Sequence, residues 1–182
     1  MGMASQVYWT ADMVRALPED GNRHELVYGE LLVTPAPRLW HQLVSGRLFA
    51  ALDAYLRANP AGHAFGTADI TWGRQDVLVQ PDVFVARLEE VRTLDWEQLR
   101  TLLLVAEILS PSSLNHDRFA KRRRYQDARI PLYWIVNADS FEVEEWRPDD
   151  SFPRIERDRL VWHPAGARDP FTLTLAELFR AV

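Results

Sequence analysis

Two carboxylates interrupt what would otherwise be apolar strands. Asp82 lies in Val79-Gln80-Pro81-Asp82-Val83-Phe84-Val85, and Glu107 lies in Val105-Ala106-Glu107-Ile108-Leu109. A carboxylate among such neighbours is costly unless a cation pairs with it or it binds a metal. Two of them, on neighbouring strands and both near strand ends, can act on one substrate. A third group follows in the chain. Asp117, Lys121, Arg124 and Tyr125 are spaced i, i+4, i+7 and i+8, on one face of a helix. Lys121 is the single lysine among 21 basic residues; the other 20 are arginine. Arginine is a planar, always-charged fork, whereas lysine is a compact ammonium whose pKa moves with its surroundings. Chemistry that needs a point charge selects lysine where a surface ion pair would not. The residues alone leave a second account open. Each carboxylate can pair with one of the arginines, and Asp117 with Lys121 can be a local helix pair that contributes only about 0.2–0.5 kcal/mol.

These residues need elements to position them. Thr10 caps a predicted helix over Ala11 to Leu17, stopped by Pro18 and the turn at 19–21. Arg23 to Val27 and Glu30 to Thr34 flank Tyr28-Gly29 as a β-hairpin. Apolar residues at helical spacing predict a long helix over Arg38 to Ala58, ended by Asn59-Pro60. Three strands follow, Ala64 to Thr71, Val77 to Ala86 and Leu102 to Leu109. The last is nearly continuous in apolar residues, as a central strand buried on both faces would be. Leu88 to Arg100 is charged and helical in part, and Ser110 to Ser113 ends the third strand. Asp117 to Ala128 is a second helix and Leu132 to Val136 a fourth core strand. Glu142 to Trp146 and Arg159 to His163 read as an antiparallel extension, and Ala176 to Phe179 begins a short terminal helix. The order helix, three strands, helix, strand describes an α/β fold, a mixed sheet with helices on its faces.

The bulk numbers restrict the function. A chain of 182 residues, 47% hydrophobic and 26% charged, reads as one globular domain. The absence of cysteine excludes disulfides, thiolate zinc sites and cysteine nucleophiles. Without an apolar run of membrane-spanning length or a signal segment, a cytoplasmic protein with no membrane partner is the expectation. A net charge of −5 argues against a simple electrostatic DNA binder, though not against an enzyme that meets a phosphate backbone through a metal ion.

An ordered series of segments runs through the chain. It comprises Arg23-His24-Glu25-Leu26-Val27-Tyr28-Gly29-Glu30-Leu31, Pro35-Ala36-Pro37 with His41, Gln80-Pro81-Asp82-Val83, Val105 to Ser112, Asp117 with Lys121 and Tyr125, and Tyr133 to Val136. From about Thr10 to about Trp146 this series resembles the Uma-two family of restriction-endonuclease-like proteins, in the PD-(D/E)XK nuclease superfamily. The resemblance implies a restriction-endonuclease-like core of helix, three strands, helix and strand, with an N-terminal hairpin and an antiparallel C-terminal extension. It implies a metal-dependent endonuclease that hydrolyses DNA. Asp82 and Glu107 would bind Mg²⁺ or Mn²⁺ together with the carbonyl oxygen of Ile108. The superfamily lysine usually stands two residues after the glutamate, where this chain has Leu109; Lys121 would be that lysine moved to the next helix. Glu25 would join the catalytic group as a ligand or proton carrier. His41, Asp117 and Tyr125 would contact substrate or support the carboxylates. Leu132 and Asn137 also depart from the family pattern, away from the proposed metal.

DNA is then the expected substrate and a homodimer the expected assembly, since cutting a duplex often takes two copies. The alternative class is an inactive nuclease-like fold that binds DNA or a protein. Arg118, Arg122-Arg123-Arg124 and Arg129 can meet phosphates or form a solvated helix face. Most of the seven tryptophans are expected in the core or an interface. His24, His63, His116 and His163 lack ligand spacing. Glu142, Glu144 and Glu145 suggest a solvent face or a charged edge strand.

Overall fold

The computed structural model describes residues 7–72, 75–110 and 113–182. Pro111 and Ser112 of the predicted strand-ending motif lie outside the described residues.

Thr10 caps the first helix as expected, its hydroxyl accepting from the Met13 amide, but this helix, α1, is shorter than predicted, Ala11–Arg15. Strands β1 (Arg23–Val27) and β2 (Glu30–Thr34) form the hairpin. Tyr28 and Gly29 both have positive φ, 53° and 78°, as a two-residue turn that follows strand twist requires. Glycine adopts this freely; Tyr28 is held there with its hydroxyl on Asp127. Helix α2 (Leu39–Ala58) matches the long predicted helix.

The predicted strand over Val77 to Ala86 is two strands, and it divides at the candidate residue. β4 (Val77–Leu78) pairs with β1, completing a three-stranded sheet of order β2-β1-β4. After Gln80-Pro81-Asp82, β5 (Val83–Arg87) enters a different sheet. Pro81 has no amide hydrogen for a ladder, so the chain can change sheets there. The larger sheet has the order β3-β5-β6-β7-β8-β9. In it β3 is Gly62–Phe65, β6 is Leu102–Ile108, β7 is Tyr133–Asn137, β8 is Glu142–Trp146 and β9 is Arg154–Glu156. Among the described strands only β6 and β7 run parallel. β3 begins earlier and ends sooner than predicted; of its predicted second half, Ile70 alone makes an isolated bridge, to Val79. Leu88 to Arg100 contains helix α3 (Leu88–Val91) and a 3₁₀ turn at Trp96–Gln98.

The C-terminal extension differs from the expectation. β9, not Arg159 to His163, continues the large sheet beyond β8. β10 (Arg159–Trp162) instead pairs with β11 (Phe171–Thr174) in a separate hairpin, followed by α5 (Leu175–Leu178). β8 is therefore an inner strand, and its glutamates are not a solvent face. Glu144 and Glu145 are buried; Arg118 holds the first at 2.7 Å, while Arg147 at 3.0 Å and the Trp134 indole N–H at 3.4 Å hold the second.

Strand alternation sorts the core into two faces. Val83, Val85, Leu104, Ala106 and Ile108 pack under Val44, Leu48, Leu52 and Leu56 of α2. Phe84, Ala86, Val105, Tyr133 and Ile135 pack with Tyr125 on the opposite face. Glu107 is in phase with Val105 and so points to this second face. Trp134, Trp146 and Trp162 are core residues as expected, whereas Trp96 is exposed. Among the described residues no helix is long and apolar enough to cross a membrane.

Candidate active site

The β5–β6 register pairs Val83 with Ala106, and continuing it by one residue sets Asp82 across from Glu107. Glu25 is brought to them by β1. Its Oε1 accepts the Gln80 amide at 2.7 Å, a donor left over where the chain changes sheets. Its Oε2 meets Lys121 Nζ at 2.7 Å. The same ammonium lies 3.2 Å from Glu107 Oε1 and 3.2 Å from Asp117 Oδ1. Tyr125 donates its hydroxyl to Glu107 Oε1 at 2.9 Å, and Tyr133 donates to the Asp117 carbonyl at 3.1 Å. Glu25, Asp82, Glu107, Asp117 and Lys121 are each no more than 2% exposed, which makes this a buried charge cluster and not a surface network.

The helix that aims Asp117 and Lys121 is not a regular α-helix. His116–Lys121 is π-wound and leads into α4, Arg122–Asp127. The Arg122 amide reaches the Asp117 carbonyl, five residues back. In an α-helix, at about 3.6 residues per turn, each step of four residues overshoots one turn and the drift accumulates. The wider π turn undershoots, and the α turn that follows restores the direction. Residues 117, 121 and 125 thereby stay on one line facing Glu107. Arg124, placed on that face by simple spacing, has left it and lies over the rings of Tyr28 and Trp72. Arg122 likewise covers Trp146, while Arg118 pairs with Glu144 and Arg129 with Asp149. Of these arginines, Arg123 and Arg129 are exposed and match a solvated face.

Asp82 is held from three sides. Arg23 Nη1 donates to Oδ1 at 2.9 Å and to the Gln80 carbonyl at 3.3 Å. On Oδ2, His41 Nε2 is at 3.0 Å and the Ile108 amide donates at 2.8 Å. His41 comes from the first turn of α2. The cleft between these groups has a volume of about 20 Å³, and Thr34, Pro35, Pro37, Ser110 and Ser113 complete its wall. That is room for one water-sized occupant. A much larger cavity of about 810 Å³ lies near Leu103 at the opposite end of β6. Size alone would favour it. However, Arg147, Arg154 and Arg159 there are already paired with Glu145, Glu156 and Asp158, and among the described residues no buried cluster of unlike charges opens into it.

The electrostatics separate the two strand carboxylates. Burial pushes Asp82 up, but His41, Arg23 and the Ile108 amide outweigh it and hold the group below the usual carboxylate range. Burial raises Glu107 well above that range; Lys121 opposes this, while Asp117, Asp82 and Glu25 add to it. Burial would lower Lys121, yet Glu107, Glu25 and Asp117 carry it well above its ordinary value. Because Glu107 binds its proton more tightly when folded, its stabilising contribution is complete below the unfolded value of about 4.3. It is lost as the pH rises toward the folded value, at about 1.4 kcal/mol per pH unit. Asp82 acts in the other direction, stabilising above about 3.9 and losing that contribution as the pH falls through its lowered value. Denaturant unfolding at about pH 5 and about pH 7 is expected to show wild type losing more stability over this interval than Glu107→Gln. Equal losses would remove the argument from carboxylate crowding.

Asp82, Glu107, Lys121, Glu25, His41, Asp117 and Tyr125 thus converge, and Ile108 meets Asp82 through its amide. Lys121 pairs with far more than its helix neighbour Asp117. Arg23 was not singled out from the sequence. The available signal was its i, i+2 relation to Glu25, which puts both on one side of β1.

A family model described as "Putative restriction endonuclease", Uma2, matches residues 11–168, most of the chain. The chain belongs to the Uma2 family. Among curated proteins, none matches the sequence. A crystal structure of a "putative nuclease belonging to DUF820" from Anabaena variabilis ATCC 29413 is similar to this chain, with a TM-score of 0.77 and 22% identity over 93% of this chain and 97% of that one. That likeness bears on the fold, which is nuclease-like. The Uma2 match spans every element that contributes to the cleft, from β1 through α4.

Proposed function

We propose that the chain is a metal-dependent endonuclease that hydrolyses DNA phosphodiester bonds. The observation that carries this reading is the burial of the only lysine among Glu25, Glu107 and Asp117, beside Asp82, in one cleft. The charge balance of that cleft suits a divalent cation. Four carboxylates face two permanent cations, Lys121 and Arg23, and the unmet negative charge is part of what raises Glu107. Among the described residues no three acidic, histidine or cysteine side chains converge on a common metal position. Mg²⁺ commonly takes only one or two carboxylates and keeps several waters, so Asp82 and Glu107 with the Ile108 carbonyl form a sufficient set. Such an ion supplies Lewis-acid activation of the phosphodiester and of water.

The chain's own residues do the rest. Tyr125 fixes the orientation of Glu107. Lys121, anchored by three carboxylates, holds a point positive charge where negative charge develops on the phosphoryl oxygens. Glu25 would take the proton of an attacking water, the leaving oxygen gaining its proton from solvent, and His41 keeps Asp82 aimed into the cleft. Two such sites on a homodimer would reach both strands of a duplex.

The test is cleavage of supercoiled and linear DNA with Mg²⁺ or Mn²⁺, and with a chelator. Metal-dependent cleavage is expected, and its absence with both ions would overturn the reading. A second reading draws on the saturation of the same network. Every carboxylate in it already contacts an internal cation, three of them sharing Lys121, as in a structural charge cluster, which suits a nuclease-like fold that only binds DNA or a protein. Calorimetry separates the two: the enzyme reading expects Mn²⁺ binding at millimolar concentration or tighter, the binding-module reading expects none.

A further inference from the structure

Asp82 is a poor ligand as it stands. Its oxygens accept from Arg23, His41 and the Ile108 amide, three of roughly four lone-pair positions. A divalent cation on Oδ1 would also sit beside the Arg23 guanidinium, a like charge that cannot be titrated away. Arg23 itself is only partly used. Nη1 serves both Asp82 and the Gln80 carbonyl, and among the described residues its other guanidinium nitrogens make no hydrogen bond. Its side chain is 18% exposed and lines the cleft, so the free edge of the fork is accessible there. A planar fork with unengaged N–H groups binds a phosphate through two parallel bonds.

We propose that Arg23 is a latch on Asp82 that a phosphodiester opens. The guanidinium holds Oδ1 in the absence of substrate and passes to the non-bridging oxygens of an incoming phosphodiester. Asp82 is then released to the cation, and the phosphodiester anion offsets the repulsion between cation and guanidinium. Metal and phosphodiester therefore bind with positive coupling, and by linkage each strengthens the other by the same factor. This inference rests on the metal-site reading above and adds to it the role of Arg23 as a positioning residue.

The experiment is Mn²⁺ binding followed by electron paramagnetic resonance, with dimethyl phosphate as an inert anionic probe and trimethyl phosphate as its uncharged control. Dimethyl phosphate is expected to tighten Mn²⁺ binding to wild type by about tenfold, and trimethyl phosphate not at all. Arg23→Gln is expected to bind Mn²⁺ about tenfold tighter than wild type without any phosphate, with the coupling lost. Arg23→Lys keeps a cation on Asp82 but not the fork, so it retains wild-type Mn²⁺ affinity and loses most of the coupling; this variant decides the matter should Arg23→Gln fail to fold. Full coupling in either variant, or Arg23→Gln binding Mn²⁺ no tighter than wild type, overturns the latch. Asp82→Asn in the same titration keeps the two ideas apart. Wild-type Mn²⁺ binding by that variant would sink the metal site itself, whereas its loss alongside an unresponsive Arg23→Gln would sink only the latch.

Discussion

Replacing Lys121 with methionine is expected to cost about 3–5 kcal/mol of folding stability, measured by denaturant unfolding. Methionine fills nearly the same space but brings no charge. Glu25, Glu107 and Asp117 would then face one another in a cluster that is at most 2% exposed, without the ammonium that now lies 2.7–3.2 Å from each. Removing one partner of a buried pair leaves the other as an uncompensated charge, and here three are left. A loss below about 1 kcal/mol would mean that water or protons compensate the carboxylates freely. Under the enzyme reading the variant also loses cleavage. Arginine is not a rescue, because its fork is too broad for a position enclosed on three sides and it cannot act as a point charge.

Asp82→Asn is expected to reduce DNA cleavage by more than about a hundredfold and to abolish Mn²⁺ binding. The change is isosteric, so the backbone path between the two sheets is kept. What is lost is charge and one acceptor. The amide nitrogen of asparagine would meet a donor, from Arg23 or from His41 and the Ile108 amide, and a buried clash of donors costs about 1–3 kcal/mol of stability. Activity and stability should therefore fall by very different factors. Cleavage that drops only in proportion to the folded fraction would make Asp82 structural.

The elements that carry the cleft were legible in the sequence where periodicity is strong. The hairpin, helix α2, and strands β6 to β8 stand within a residue or two of where alternation and helical spacing put them. The break at Gln80-Pro81-Asp82 was not. An apolar run gives no sign of which sheet each half will join; only Pro81 hinted at it, and proline is compatible with an edge strand as well. The buried glutamates of β8 were misread because alternation of charged and apolar residues looks the same whether a charged face meets water or meets Arg118 and Arg147. The site residues were recognisable by type and by their order along the chain. The exception, Arg23, was one arginine among twenty, and only pairing across 59 residues of sequence distinguishes it.

The π-wound turn before α4 has a genetic reading. A π turn holds one residue more than the α turn it replaces, and within His116–Lys121 that surplus is what keeps the lysine and Tyr125 in one column. The spacing is therefore a property of reading length and not only of residue identity. Loss of a single codon between Asp117 and Lys121 would keep the ammonium near its carboxylates only if the turn reverted from π to α winding. In this fold, a one-residue gap in that helix carries as much information as a substitution.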